Sequence, residues 1–250
     1  MSLKTLHDYF VGSPEGQWVM KRQNAHALYE FVKKHPVKRV LDLGTGIGCS
    51  AAVVALALKD KGETEYRIDS VEQFDKCIKI ANELIPPELK DHITIYKSEV
   101  EIWNTPLIPY QHFSVYKTLP EPPEGGWNLI CNDGPSPLLY GEKECYVDLP
   151  NGTITKMLLE DKLKVGAYIA WDGRAHMLRI LERYFGDNFS LMPAVNSDLN
   201  ILERKDVPVS FKDELLERMR HTTYFNEKDN FPRHLKDSHS ETAAVAQGTE

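Results

Sequence analysis

Residues 40–48 read Val-Leu-Asp-Leu-Gly-Thr-Gly-Ile-Gly, and this run limits the chain more than any other. An apolar stretch, Val37 to Leu41, leads into Asp42. Gly44, Gly46 and Gly48 follow at two-residue spacing, and a small, apolar segment runs from Cys49 to Leu58. This is the pattern of a strand, a glycine turn and a helix. Glycines let the backbone turn tightly and let a ligand approach the main chain. The helix that follows offers free N–H groups to a polar ligand.

The rest of the chain repeats this alternation. Tyr66 to Val71 reads as a second strand ending at Glu72. Phe74, Cys77, Ile78, Ala81 and Leu84 then recur at helical spacing until Pro86-Pro87. Ile93 to Tyr96 is a third strand closing on Lys97-Ser98-Glu99. Trp127 to Cys131 is a fourth, ending at Asn132-Asp133-Gly134-Pro135, and Ala167 to Trp171 a fifth, ending at Asp172-Gly173. Helices are expected over Thr153 to Leu163 and Met177 to Phe185. Phe189 to Val195 and Leu199 to Leu202 look like a hairpin. Residues 100–126 and 136–152, rich in proline and tyrosine, read as irregular.

Strands alternating with helices give a parallel sheet with helices on both faces, and ligands bind beyond the carboxyl ends of its strands. The expected fold is an α/β, Rossmann-like three-layer sandwich with a mostly parallel seven-stranded sheet closed by an antiparallel hairpin. The expected organisation is a helical extension over 1–36, a cofactor-binding domain over 37–205, and a C-terminal helix and polar tail over 206–250. A stripe from Trp18 through Met20, Ala25, Leu28, Phe31 and Val32 suggests helix in the extension, placed to cover the sheet edge and roof a cofactor.

The glycine spacing is G-x-G-x-G. The dinucleotide fingerprint is G-x-G-x-x-G, with its acid about 20 residues later. The run resembles motif I of the class I S-adenosylmethionine-dependent methyltransferases, and the resemblance extends over residues 37–205. It implies that Gly44, Thr45, Gly46 and Gly48 pass under the methionine part of the cofactor and that Asp42 helps hold its amino group. It implies that Glu72 accepts the ribose hydroxyls, where a carboxylate makes charge-assisted hydrogen bonds. The alternative for Glu72 is an acid in the first turn of the next helix. Ser98 or Glu99 would read the adenine edge, with Ile102 or Trp103 at its face; Trp103 suits core packing as well.

Asp133 lies where the family's fourth motif stands, beside the transferred methyl. A hydroxyl acceptor must lose its proton to a base or to a metal that lowers its pKa, and a carboxylate suits either role. In catechol-type and macrocin-type relatives, acids at the fourth and fifth strand ends bind Mg²⁺, which places Asp133 and Asp172 as metal ligands. The usual pair at the fifth strand is reduced here to Asp172 followed by Gly173. Arg174 and His176 stand next as acceptor-binding or proton-carrying groups. Tyr110, Tyr116, Tyr140 and Tyr146 are candidates for the acceptor pocket or for packing under their own loops.

The activity implied is methyl transfer from S-adenosylmethionine to a small-molecule acceptor, at a sugar or phenol hydroxyl. Two other readings remain open at this point: a nucleotide-dependent α/β enzyme such as an NAD-dependent oxidoreductase, and a non-catalytic S-adenosylmethionine-binding module. The net charge of −7 disfavours a nucleic-acid partner. No apolar run reaches the ~20 residues of a membrane span. The N-terminus lacks the apolar core of a signal peptide. Four dispersed cysteines without a C-x-x-C motif fit buried free thiols in the cytoplasm. Nothing in the sequence speaks to oligomeric state.

Overall fold

A computed structural model describes residues 1–104, 112–135, 138–139, 145–146, 151–172, 175–192 and 197–209. Expectations for Tyr110, Tyr140, Arg174, the helix near 211–220 and the tail lie outside the described residues, as do the side chains of Tyr146 and His176.

Five strands are parallel: β1 (Arg39–Leu43), β2 (Arg67–Glu72), β3 (Ile93–Lys97) and, after a ribbon of β4 (Val100–Asn104) with β5 (His112–Tyr116), β6 (Leu129–Asn132). Beyond the short pair β7 (Leu138–Leu139) and β8 (Cys145–Tyr146) comes the fifth, β9 (Tyr168–Asp172). They are followed by β10 (Phe189–Leu191) and β11 (Leu199–Arg204). The seven-stranded sheet has the order β10-β11-β9-β6-β1-β2-β3. The expected closing hairpin is present: β11 lies antiparallel between β9 and β10. Order reverses beside β1, which places a crevice at the carboxyl ends of β1 and β6.

Side-chain alternation along the strands sorts residues between two layers. Val40, Ile68, Leu129, Cys131 and Ala170 face one core, covered by α1 (Leu3–Val11), α2 (Arg22–Lys34), α3 (Cys49–Asp60), α4 (Asp75–Leu84) and α5 (Pro87–Lys90). Leu41, Leu43, Val71, Ile130, Ile169 and Trp171 face the other, covered by the β4–β5 ribbon, α6 (Thr153–Leu159) and α7 (Ala175–Phe185). Helix α3 is buried from Cys49 to Leu58 apart from Ser50, because the sheet lies under it and α1 and α2 over it. A helix apolar on every side requires that double cover.

Two expectations are corrected. Residues 12–21 break the N-terminal helical stripe, and Trp18 is 70% exposed, outside the core it was expected to join. Residues 100–104 and 112–116 are not irregular. They carry the β4–β5 ribbon in the crossover from β3 to β6, where the other crossovers carry helices. Trp103 packs in the second core, its ring centroid 5.8 Å from that of Phe113. Pro120, Pro122 and Pro123, part of the stretch read as irregular, follow β5 instead of interrupting it.

Candidate cofactor and acceptor site

Each candidate residue is placed by strand periodicity. Asp42 shares a face with Val40, and Ser70 is its register partner on β2, so the two side chains meet under α3. The Ser70 hydroxyl donates to Asp42 Oδ2 at 2.6 Å and the Ser50 hydroxyl donates to Oδ1 at 2.8 Å. Thr45 Oγ1 lies 2.6 Å from Ser70 Oγ. With Asp42 ionised, the single Ser70 proton is spent on it, so Thr45 donates to Ser70. The lone pairs of Thr45 Oγ1 then carry the negative end of this chain toward the loop. Asp42 is 2% exposed, and burial pushes its pKa up to about 7, against the two serine hydrogen bonds and with the charges of Asp133 and Glu72 adding to the rise.

The glycines have different tasks. The N–H groups of Gly44 and Thr45 both donate to the Val71 carbonyl, at 3.0 and 3.1 Å, which folds the loop back over β2. Gly44, at φ +98°, is pressed against Gly134. A Cβ on Gly48 would meet the Ile85 side chain at 2.8 Å. Gly46 has φ +52° and open space where its Cβ would stand. Of the three, Gly46 is the one whose missing side chain leaves room for a ligand.

Glu72 ends β2 and is 4% exposed. Its Oε2 accepts the Gly46 N–H at 2.9 Å, and its Oε1 accepts those of Gln73 and Phe74 at 2.7 and 3.0 Å. Burial raises its pKa, and these backbone donors oppose the rise. Three of about four lone-pair directions are used. The residue therefore holds the start of α4 and the glycine loop together, with one direction left on Oε2.

Ser98 and Glu99 diverge. Ser98 is buried, its hydroxyl accepting the Thr118 N–H at 3.1 Å. Glu99 is exposed and pairs with Lys117 at 3.1 Å. Asp133 follows β6, its N–H and that of Gly134 both donating to the Leu43 carbonyl, at 2.9 and 2.6 Å. Its side chain is exposed, and its charge reaches Asp42.

Asp172 ends β9, half-buried, on the α2–α3 face with Ala170. Its Oδ1 accepts the Asn24 amide at 2.6 Å. Among the described residues, no three His, Cys, Asp or Glu side chains come together to hold a metal. Sequence reasoning missed Asn24, Ser50 and Ser70. Ser70 could have been found by counting alternation back from Glu72; Asn24 had no local signal, being 148 residues from the acid it holds.

A family model for protein-L-isoaspartate(D-aspartate) O-methyltransferases matches residues 15–127, which include the glycine loop, the Asp42 chain and Glu72. The matched segment and the shared fold support the class I S-adenosylmethionine-dependent methyltransferase family for this chain. Solved methyltransferases share the fold. The S-adenosylhomocysteine-bound PaMTH1 of Podospora anserina is 14% identical, with 82% of this chain and 88% of that one covered at a TM-score of 0.52. The O-methyltransferase TomG of Streptomyces achromogenes, in complex with S-adenosylmethionine, is 11% identical, covering 81% and 89% at a TM-score of 0.51. No curated protein matches the sequence. Among the described residues of this methyltransferase, no helix is long and apolar enough to cross a membrane.

Proposed function

We propose that this methyltransferase methylates an oxygen of a small-molecule acceptor, a sugar or phenol hydroxyl, with Asp133 as the base. The observation that carries the reading is the Gly44–Gly134 contact, which sets the exposed Asp133 carboxylate beside the cofactor loop. The matching family model and TomG are both O-methyltransferases by description, which supports oxygen as the acceptor atom.

The residues fit S-adenosylmethionine. Gly46 leaves space, Thr45 Oγ1 offers lone pairs to an ammonium group, and Glu72 Oε2 offers one more direction to a ribose hydroxyl. Ser98, next to the Glu72 end of β2 through its N–H, is the nearer of the two candidates to an adenine edge. Asp42, Glu72 and Asp133 together create a negative potential suited to a cation. When bound, the cofactor supplies a methyl group on a positively charged sulfur.

Asp133 removes the acceptor's hydroxyl proton as the oxygen approaches the methyl carbon. Bound S-adenosylmethionine would supply the methyl carbon, its C–S bond breaking as the C–O bond forms, with S-adenosylhomocysteine as the product. Positioning contributes much of the rate. Arg174 and His176, which follow the fifth strand in sequence, are candidates for acceptor binding. Buried, protonated thiols at Cys49 and Cys131, their pKa values raised by burial, support a reducing, cytoplasmic setting.

Calorimetric titration with S-adenosylhomocysteine tests the cofactor assignment: micromolar binding, lost in Glu72→Ala, is expected. A screen of sugar and phenol acceptors then tests the oxygen assignment. Transfer to an amine alone would overturn it.

A further inference from the structure

We infer that the Asn24 amide occupies the place a divalent cation would take beside Asp172, and that the protein works without a metal there.

Asn24 lies in the first turn of α2 and is 1% exposed. Its Nδ2 donates to Asp172 Oδ1 at 2.6 Å, and its Oδ1 accepts the Asp198 N–H at 3.1 Å. The two contacts fix which end of the amide faces which partner. A flip would present the amide oxygen to the carboxylate and the amide nitrogen to another N–H. Both hydrogen bonds would be lost at a buried position, and each unmet group costs about 1–3 kcal/mol. The side chain therefore cannot turn its oxygen toward a cation at Asp172 while Asp198 keeps its place.

The surroundings act in the same direction. Lys21, at the start of α2, pairs with Asp198 at 2.6 Å, and its charge also reaches Asp172. Asp172 thus already meets an N–H donor and a nearby ammonium. A divalent cation needs hard oxygen donors and rejects N–H groups pointing at it. The residue after Asp172 is Gly173, which adds no side-chain oxygen. Asn24 is in this sense a positioning residue, orienting the fifth strand-end acid through its amide N–H.

The inference rests on reading Asp172 as one of the acids at the acceptor side. It is tested without turnover, so its failure leaves the methyl-transfer assignment standing. The measurement is Mn²⁺ titration followed by electron paramagnetic resonance, with and without S-adenosylhomocysteine, on the wild-type protein, Asp172→Asn and Asn24→Asp. In the wild type, no Mn²⁺ binding that depends on Asp172 is expected. Asn24→Asp exchanges the N–H for a second carboxylate and should gain at least ~10-fold in Mn²⁺ affinity. A wild-type Mn²⁺ site abolished by Asp172→Asn would overturn the inference, as would a folded Asn24→Asp protein with no gain. If melting curves show Asn24→Asp unfolded, the wild-type and Asp172→Asn pair decides alone.

Discussion

Gly44 and Gly134 meet backbone to backbone: a Cβ on Gly44 would stand 2.6 Å from the Gly134 nitrogen, and one on Gly134 would stand 2.7 Å from the Gly44 Cα. The contact joins the turn after β1 to the turn after β6, so the glycine loop and the Asp133 backbone are held against each other. Real Cβ atoms do not approach backbone so closely; a Cβ on Gly134 would meet the Tyr116 hydroxyl as well as the Gly44 main chain, which cannot swing aside. Gly134→Ala should therefore cost about 3 kcal/mol of stability through overpacking. Gly46→Ala meets open space and should cost only about 1 kcal/mol, from its left-handed backbone. Yet Gly46→Ala should lose cofactor affinity. Urea unfolding and S-adenosylhomocysteine calorimetry on both variants separate the effects. Equal destabilisation of the two would contradict the division of labour among the glycines.

Glu72 links the loop to α4 through three backbone N–H groups. Glu72→Ala leaves all three without their acceptor, so both stability and binding should fall, with stability down by about 3 kcal/mol. Glu72→Gln is the sharper probe. Its remaining oxygen can still accept from Gln73 and Phe74, but its amide nitrogen faces the Gly46 N–H. Stability should fall less than in Glu72→Ala, while S-adenosylhomocysteine affinity falls about tenfold or more, equivalent to ~1.4 kcal/mol. Unchanged affinity in Glu72→Gln would reduce the residue to a helix-start acid.

Asp42 makes the fold sensitive to pH in a definite direction. Its folded pKa is pushed up to about 7, well above the ordinary aspartate range, so the folded state holds a proton that the unfolded chain gives up. Stability from this group is complete below the unfolded value and is lost as pH rises through the folded one, between about pH 4 and 7. Burial of Glu72 acts in the same direction. Asp42→Asn removes the ionisation. Relative to the variant, the wild type should lose a few kcal/mol between pH 5 and 8, since each pKa unit corresponds to about 1.4 kcal/mol. Urea midpoints across that range measure it. Parallel pH profiles for the two proteins would show that Asp42 does not titrate as its burial implies.

Much of this arrangement was legible in the sequence because it is local. The glycine spacing, the apolar strands and the acids at their ends lie within short windows, where period and turn chemistry act directly. Alternation also separates Asp42 from Leu41 and Leu43 before any fold is known. What escaped was long-range or lay between weak signals. Asn24 reaches Asp172 only because α2 packs over α3. The β4–β5 ribbon is short and bordered by prolines, so its alternation of buried residues was outweighed by the turn signals around it. The split between Ser98 and Glu99 depends on the ribbon as well, since Thr118 and Lys117 follow β5 and bond one residue each.

Asp133 carries the chemical prediction. Its backbone is fixed to Leu43 and its side chain is exposed, so Asp133→Asn should leave the fold and the cofactor site intact. S-adenosylhomocysteine affinity is expected to stay within about twofold, because the role proposed for the residue is on the acceptor proton and not on the cofactor's anchoring groups. Removing a general base lowers turnover by roughly 10²–10⁴-fold. With an acceptor from the hydroxyl screen, kcat should fall by that amount while KM changes little. An acceptor with a fully ionised phenolate at the assay pH needs no base, so its methylation should be far less affected. Full activity of Asp133→Asn toward a neutral hydroxyl would remove the residue from the chemistry and shift attention to Asp172 and His176.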